Sequence, residues 1–542
     1  MRKVSRRNFL KATGAAAAVS ALAGLFTGCG STSSGEKATA DNTVNIGATG
    51  SLGTLNPLMV DATWINMYAA TLQFCPLTAM DASGAFVGML ADKVETTDKL
   101  AYTIHIADDA KWSDGEDITS ADLKFTMKCL TSAKLGNATM LLSQLVGTND
   151  ETGYRDDGVD DIEGVEIVDD KTCVFHLKSE MGPNVFQSGY AQYIYTVPEH
   201  ILKDVAEDQL ASYDWFNTPT VVSGPYAVVA SDANHYISYR YNEKYWKGTP
   251  AIHFLNIKIV EAAQLLTGLQ SGEIDVVPPL LGSISQDDYS AVQALPNITA
   301  AFGERYAAEA LYINCNSIPE KEIRQAMLYA LDRQKIIDNL LDGEADLADG
   351  FAVPAGPYWR DVTATPCDVA KAQSLVQQAA SAGWDSTRRY GLYVNSGDQT
   401  LINAVTMAVN YWEAVGVHVD LNTVDLSTLM TMCGEGSGDI YGVQYTYAVG
   451  DPSWDINYVL PYWCFYQSDA EAAAAASLQG AADDTAYADA LAEVDRDVQA
   501  NVPIITMYVT GPLGAVAKRV SGAAASMYGC LNNVQEWTIS AQ

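Results

Sequence analysis

A chain of 542 residues, 48% apolar and carrying a formal charge of −34, is globular, too long for one core and expected to divide into two or three domains. That charge excludes nucleic acid as a partner, because phosphate binding needs clustered Lys and Arg to release counterions, and it excludes adhesion to an anionic membrane through a basic patch. The six histidines lack the helical metal-binding spacing, and no Cys-x-x-Cys pair, Gly-x-Ser-x-Gly turn or phosphate-cradling Gly-x-x-x-x-Gly-Lys loop occurs. No catalytic residue, metal site or cofactor is therefore expected. With Cys29 set aside, the other eight of the nine cysteines permit too many connectivities for their spacings to choose a disulfide pattern.

The N-terminus places Arg6 and Arg7 before Phe9-Leu10-Lys11, then an apolar run from Ala15 to Phe26, then Thr27-Gly28-Cys29. A basic start, a short apolar stretch and small residues before a cleavage point read as an export signal, since a membrane span needs about 20 apolar residues. The paired arginines resemble a twin-arginine signal, and the residues before Cys29 resemble a bacterial lipobox, whose cysteine would be acylated. Phe26 stands where that box usually has Leu, so ordinary cleavage leaving a free Cys29 is the alternative. Residues 30–41 are polar and rich in Ser, Thr and Gly, the composition of a flexible tether.

Val44 to Thr49 alternates apolar and polar residues and reads as a strand; a loop containing Asn56 follows, then a helix from Trp64 to Leu72 carrying Tyr68. Tyr102 to Ile106 is a second strand. Asp114-Gly115 is a turn dipeptide, and Thr119 or Ser120 caps a helix whose first turn holds Asp122. The Gly434-Glu435-Gly436-Ser437-Gly438 stretch reads as a flexible connection, with Glu435 and Asp439 set to repel phosphate. From Gly391 through Asp495 there is no Lys or Arg, yet Tyr441, Gln444, Tyr445, Tyr447, Trp454, Tyr458, Tyr462 and Trp463 crowd into the same region. Aromatic faces bind flat rings, sugar faces or organic cations, so this composition leans toward a neutral or cationic ligand.

The string Lys111-Trp112-Ser113-Asp114-Gly115-Glu116-Asp117-Ile118-Thr119-Ser120-Ala121-Asp122 resembles the family 5 extracellular solute-binding proteins of ATP-binding-cassette importers, which include dipeptide, oligopeptide and nickel-chelate receptors. Ser223-Gly224-Pro225-Tyr226, Tyr241-Asn242-Glu243-Lys244-Tyr245-Trp246, Gly272-Glu273-Ile274-Asp275, the Arg324-Gln325-Ala326 helix and Gly450-Asp451-Pro452 follow in the family's order. The resemblance implies an α/β, two-lobed periplasmic-binding-protein-like fold (class II type, cluster C) with an extra subdomain in lobe one. Residues 42–297 would form lobe one, including a subdomain at about 79–178; 298–510 would form lobe two, and 511–542 would return to lobe one. It also implies a monomeric, lipid-anchored receptor at the outer face of the cytoplasmic membrane. Such a receptor captures a peptide or other small polar or cationic solute and delivers it to a membrane permease complex.

Peptide receptors of this kind often carry an aspartate for the peptide amino group three residues before the acidic residue of an Asp-Pro or Glu-Pro pair; here that position is Ala448. Asp451 or Asp455 would have to replace it. Tyr445, Tyr447, Gln444, Asp451 and Trp454 are the candidate ligand contacts on one wall, Asn56, Trp64 and Tyr68 on the other, with Tyr508 near the return into lobe one. Two other readings stay open: a nickel-chelate or metallophore receptor of the same fold, for which His418 is the weak pointer, and a secreted hydrolase using an acidic pair. A receptor that signals instead of transporting is a third.

Overall fold

Two sheets organise the chain. The computed structural model describes residues 37–540 except 62, 138–141, 157, 361 and 447–449. Arg6, Arg7, Cys29, most of the expected tether and Tyr447 thus lie outside the described residues. No described helix is long and apolar enough to cross a membrane.

The first sheet has seven strands, and its centre is Thr43–Ala48. This strand pairs in parallel with Phe254–Ile259 on one side and Val276–Val277 on the other. Val44, Ile46 and Ala48 are completely buried, as a central strand covered on both faces requires. Tyr236–Tyr241 and Tyr226–Asp232 extend the sheet on one flank. On the other, Leu513–Ala517 returns from the far end of the sequence to pair with Val276–Val277 and with Ile298–Phe302.

The five-stranded second sheet runs His418–Val424, Arg389–Asn395, Ile440–Thr446, Ala307–Ile313 and Ile504–Thr510 in spatial order. Every residue of Ala307–Ile313 is buried. The chain crosses between the sheets twice, between Phe302 and Ala307 and again between Thr510 and Leu513. Ile298–Phe302, expected at the start of lobe two, is therefore a strand of the first sheet. Its five residues complete an antiparallel ladder from Ile298 opposite Ala517 to Phe302 opposite Leu513 before the chain crosses.

Local sequence explains where two of the helices begin and end. The helix Ser120–Leu130 begins with a capping box between Thr119 and Asp122. The Asp122 carboxylate also accepts from the Glu199 backbone at 2.9 Å and from the Trp112 indole at 3.4 Å. This signature segment is thus a packing device beside a separate four-stranded sheet built from Ala91–Thr96, Ala101–Ile106, Thr172–His176 and Val165–Ile167. The glycine-rich stretch at 434–438 ends a helix: Leu426–Glu435 stops where Gly436 adopts φ 64°, the left-handed cap that glycine takes without strain. The expected flexible connection is a helix terminus because the cap satisfies its last carbonyls.

Arg333 is buried in lobe two. Its guanidinium lies 2.6 Å from Asp349 and donates to the carbonyls of Ala348, Thr506 and Thr365.

Candidate ligand cleft

The lobes meet over a wide front. At one end the Gly182 backbone donates to Gln479 at 2.7 Å and Lys99 Nζ to the Gly480 carbonyl at 2.9 Å. Nearby, the Ser188 hydroxyl donates to Asp451, whose other oxygen accepts from the Tyr487 hydroxyl and, at 3.0 Å, from the Ser453 backbone. At the other end the Thr400 hydroxyl donates to Gln286. The two lobes are closed on each other.

Between these ends lies a band of packed aromatic side chains contributed by both lobes. From lobe one, Trp64 packs against Tyr528 with ring centroids 5.3 Å apart, and Tyr68 stands 6.1 Å from Trp64. Tyr306, on the crossing segment, stacks on Tyr528 at 5.6 Å. From lobe two, Trp463 meets Tyr445 and Tyr312 edge to face at 5.6 and 5.0 Å, the arrangement ring quadrupoles favour. The Tyr445 hydroxyl donates to Asp455 at 2.8 Å. Asp455 is buried, on the short helix Ser453–Tyr458. Burial, and then the field of Asp455, raise the phenols of Tyr193 and Tyr528 above their ordinary value. Both tyrosines belong to the opposite side of the cleft, so one lobe-two carboxylate is felt across the boundary. A cavity of about 40 Å³, lined by Trp64, Met67, Tyr68, Thr71, Tyr195 and Tyr528 among others, remains inside lobe one. That space suits ordered water, not a peptide.

Apart from Asn56, the described candidate residues fall into three groups. Trp64 and Tyr68 line the lobe-one cavity. Tyr445 and Asp451 stand at the boundary, while Trp454 stacks on Tyr458 at 4.9 Å on the solvent side of the same helix, 63% exposed. Gln444 and Tyr508 gather around Glu309, where Gln444 Nε2 donates to Glu309 Oε1 at 2.5 Å. Asn56 is buried, and its amide is taken up inside lobe one, accepting from the Leu58 backbone at 3.0 Å and donating to Leu210 at 2.8 Å. His418 lies at the surface with Nδ1 2.6 Å from Glu413.

Sequence reasoning missed Tyr193, Tyr528 and Glu309. Nothing local marks the two tyrosines, but Glu309 has a signal: it is a lone carboxylate in the apolar run Ala307-Ala308-Glu309-Ala310-Leu311.

Residues 85–463 match the model of bacterial extracellular solute-binding proteins, family 5 Middle. The chain belongs to this family. Residues 3–23 match the signal sequence of the twin-arginine translocation pathway, so the receptor is exported. A Brucella ovis protein provisionally named an ABC transporter peptide-binding protein is 27% identical over 396 residues, 71% of this chain and 68% of that one. The oligopeptide-binding protein OppA of Lactococcus lactis subsp. cremoris is 26% identical over 407 residues, 68% of this chain and 66% of that one. The crystal structure of the ABC transporter substrate-binding protein CtaP from Listeria monocytogenes superposes with a TM-score of 0.78 at 22% identity, over 92% of this chain and 99% of that one. The receptor therefore has the two-lobed fold of solute-binding proteins, and it is a binding receptor, not an enzyme.

Proposed function

We propose that this receptor delivers peptides to an ABC importer and that Asp455 holds a positively charged group of the ligand, in the role of the aspartate absent at Ala448. The supporting observation is the position of Asp455: a buried carboxylate that takes the Tyr445 hydroxyl of its own lobe while its field reaches Tyr193 and Tyr528 of the other. A cation placed there would meet a carboxylate and tyrosine faces together, and both attract it. The absence of Lys and Arg from Gly391 through Asp495 leaves this wall without competing positive charge. The names of the Brucella and Lactococcus relatives agree with a peptide ligand and an importer partner.

Acylation at Cys29, anchoring at the outer face of the membrane and a monomeric state belong to the same proposal. So do the lobe limits, with lobe two taken from the crossing after Phe302 to the crossing after Thr510.

Calorimetric titration with a short peptide and its N-acetylated counterpart tests this reading. Asp455→Asn is expected to lose about 2 to 5 kcal/mol of affinity for the free-amine peptide, with little change in melting temperature. Equal affinity of wild type and variant for that peptide would refute the role of Asp455.

A further inference from the structure

Away from Asp455, the second lobe holds another polar group on the inter-lobe side that its fold does not use. Glu309 sits on the central strand Ala307–Ile313, directly opposite Gln444 on one neighbouring strand and Tyr508 on the other. Cross-strand partners share a face of the sheet, so the three side chains form one row. Glu309 is 1% exposed and Tyr508 0%. Gln444 takes Glu309 Oε1, but Glu309 Oε2 and the Tyr508 hydroxyl, both shut off from water, have no hydrogen-bond partner among the described residues. Buried polar atoms are rarely left so.

The groups facing Glu309 are Asp398, at the start of the helix Gln399–Val415, together with Gln444, Tyr508 and lobe-one Tyr289. Among the described residues the Asp398 side chain accepts only from the Leu401 backbone, at 2.9 Å. Neither Glu309 nor Asp398 is ion-paired among the described residues. Tyr289, and Gln286 with its contact to Thr400, belong to lobe one, so part of the cover over this row comes from the opposite lobe and parts when the lobes open. Gln444 is solvent-exposed even in the closed arrangement.

We propose that Glu309, Tyr508, Gln444 and Asp398 form a second ligand subsite, which accepts an ammonium or guanidinium side chain of the bound solute. It rests on the reading of the inter-lobe cleft as the ligand site and extends that reading from one anchored charge to two. An ammonium supplies donors for the two orphaned oxygens and a positive charge for two carboxyls that lack one. Burial, with Asp398 adding to it, pushes the Glu309 carboxyl up to about 8, against the opposing bond from Gln444. Near neutral pH the empty subsite therefore holds a proton on Glu309. When the cation enters, the carboxyl O–H bond breaks, its electron pair stays on the carboxylate that pairs with the ligand, and the proton leaves to buffer. Affinity for a basic side chain then rises with pH.

The test is calorimetric titration of the mature receptor with Ala pentapeptides in which lysine or norleucine replaces each position in turn, and with the diamine cadaverine. At one position lysine is expected to bind about tenfold more tightly than norleucine. In Glu309→Gln that ratio falls to about one, and Tyr508→Phe lowers it partway. Wild-type titrations of the lysine peptide in two buffers of different ionisation enthalpy report proton release even where a variant fails to fold. No lysine preference at any position, a preference kept by Glu309→Gln, or no proton release would overturn the subsite while leaving the peptide reading intact. Binding of cadaverine but of no peptide, lost in Glu309→Gln, would support the subsite and remove the peptide reading. Binding of neither would remove both.

Discussion

Asp349 and Glu309 are both buried in lobe two, and they are held on different terms. Burial alone would raise the Asp349 carboxyl, but Arg333 at 2.6 Å and the bonds from Thr365 and Gln499 outweigh it and hold the group below its ordinary value. Three further carbonyls fix the guanidinium, so Asp349 has its counterion inside the lobe. Glu309 has an amide and a neighbouring carboxyl instead, and its carboxyl is raised. Asp451, on the lobe boundary, is met by two hydroxyls and one backbone amide. Asp349 has a counterion of its own; Glu309 and Asp451 are met by neutral groups. Buried charge without a counterion is costly, so it persists where opening, a proton or a ligand relieves it.

The contrast can be broken by removing a counterion. Arg333→Ala strands Asp349 and is expected to cost about 3 to 5 kcal/mol in urea unfolding. A loss below about 1 kcal/mol would mean that the pair is not the structural element assigned to it.

It can be sharpened by pH. A carboxyl raised on folding binds its proton more tightly in the native state, so stability is highest below the unfolded value, near 4, and falls until pH passes the folded value of about 8. Asp495, raised by burial to about 7 despite the Phe351 and Ala352 amides, acts in the same direction. Glu309→Gln is therefore expected to flatten, but not abolish, a decline of a few kcal/mol in urea-derived stability between pH 5 and 8. An unchanged slope would show that Glu309 is ionised throughout.

Smaller effects follow at the boundary. Ser188→Ala removes the lobe-one hydroxyl on Asp451 and is expected to weaken closure by about 1 kcal/mol, read as a larger radius of gyration by small-angle scattering without ligand. Trp454→Ala should lower affinity for a cationic peptide by at most about 0.5 to 1 kcal/mol, because the ring lies on the solvent side of its helix. A larger loss in calorimetry would place Trp454 inside the ligand path.

What the sequence displays and what it hides divide by range. The strand Thr43–Ala48, the helix Trp64–Gln73 and the capped helix after Thr119 are readable because their determinants are neighbours in the chain: alternation, a cap, a turn dipeptide. The end of lobe one's sheet was misplaced because nothing within Ile298–Phe302 says that its partner is Leu513–Ala517. The cleft was half legible for the same reason. Tyr445 and Asp455 are each legible as candidates in the sequence, whereas Tyr193 and Tyr528 reach them only through the fold. Gln444 stands out for its chemistry and Tyr508 for its place near the return into lobe one, and the register alone shows that they flank Glu309.

The most direct test of the central claim is native mass spectrometry of the receptor recovered gently from cells that export it. A retained peptide or other cationic solute, released intact and lost from Asp455→Asn, is the expected result. An anionic solute, or one that is consumed on incubation with the protein, would contradict the account.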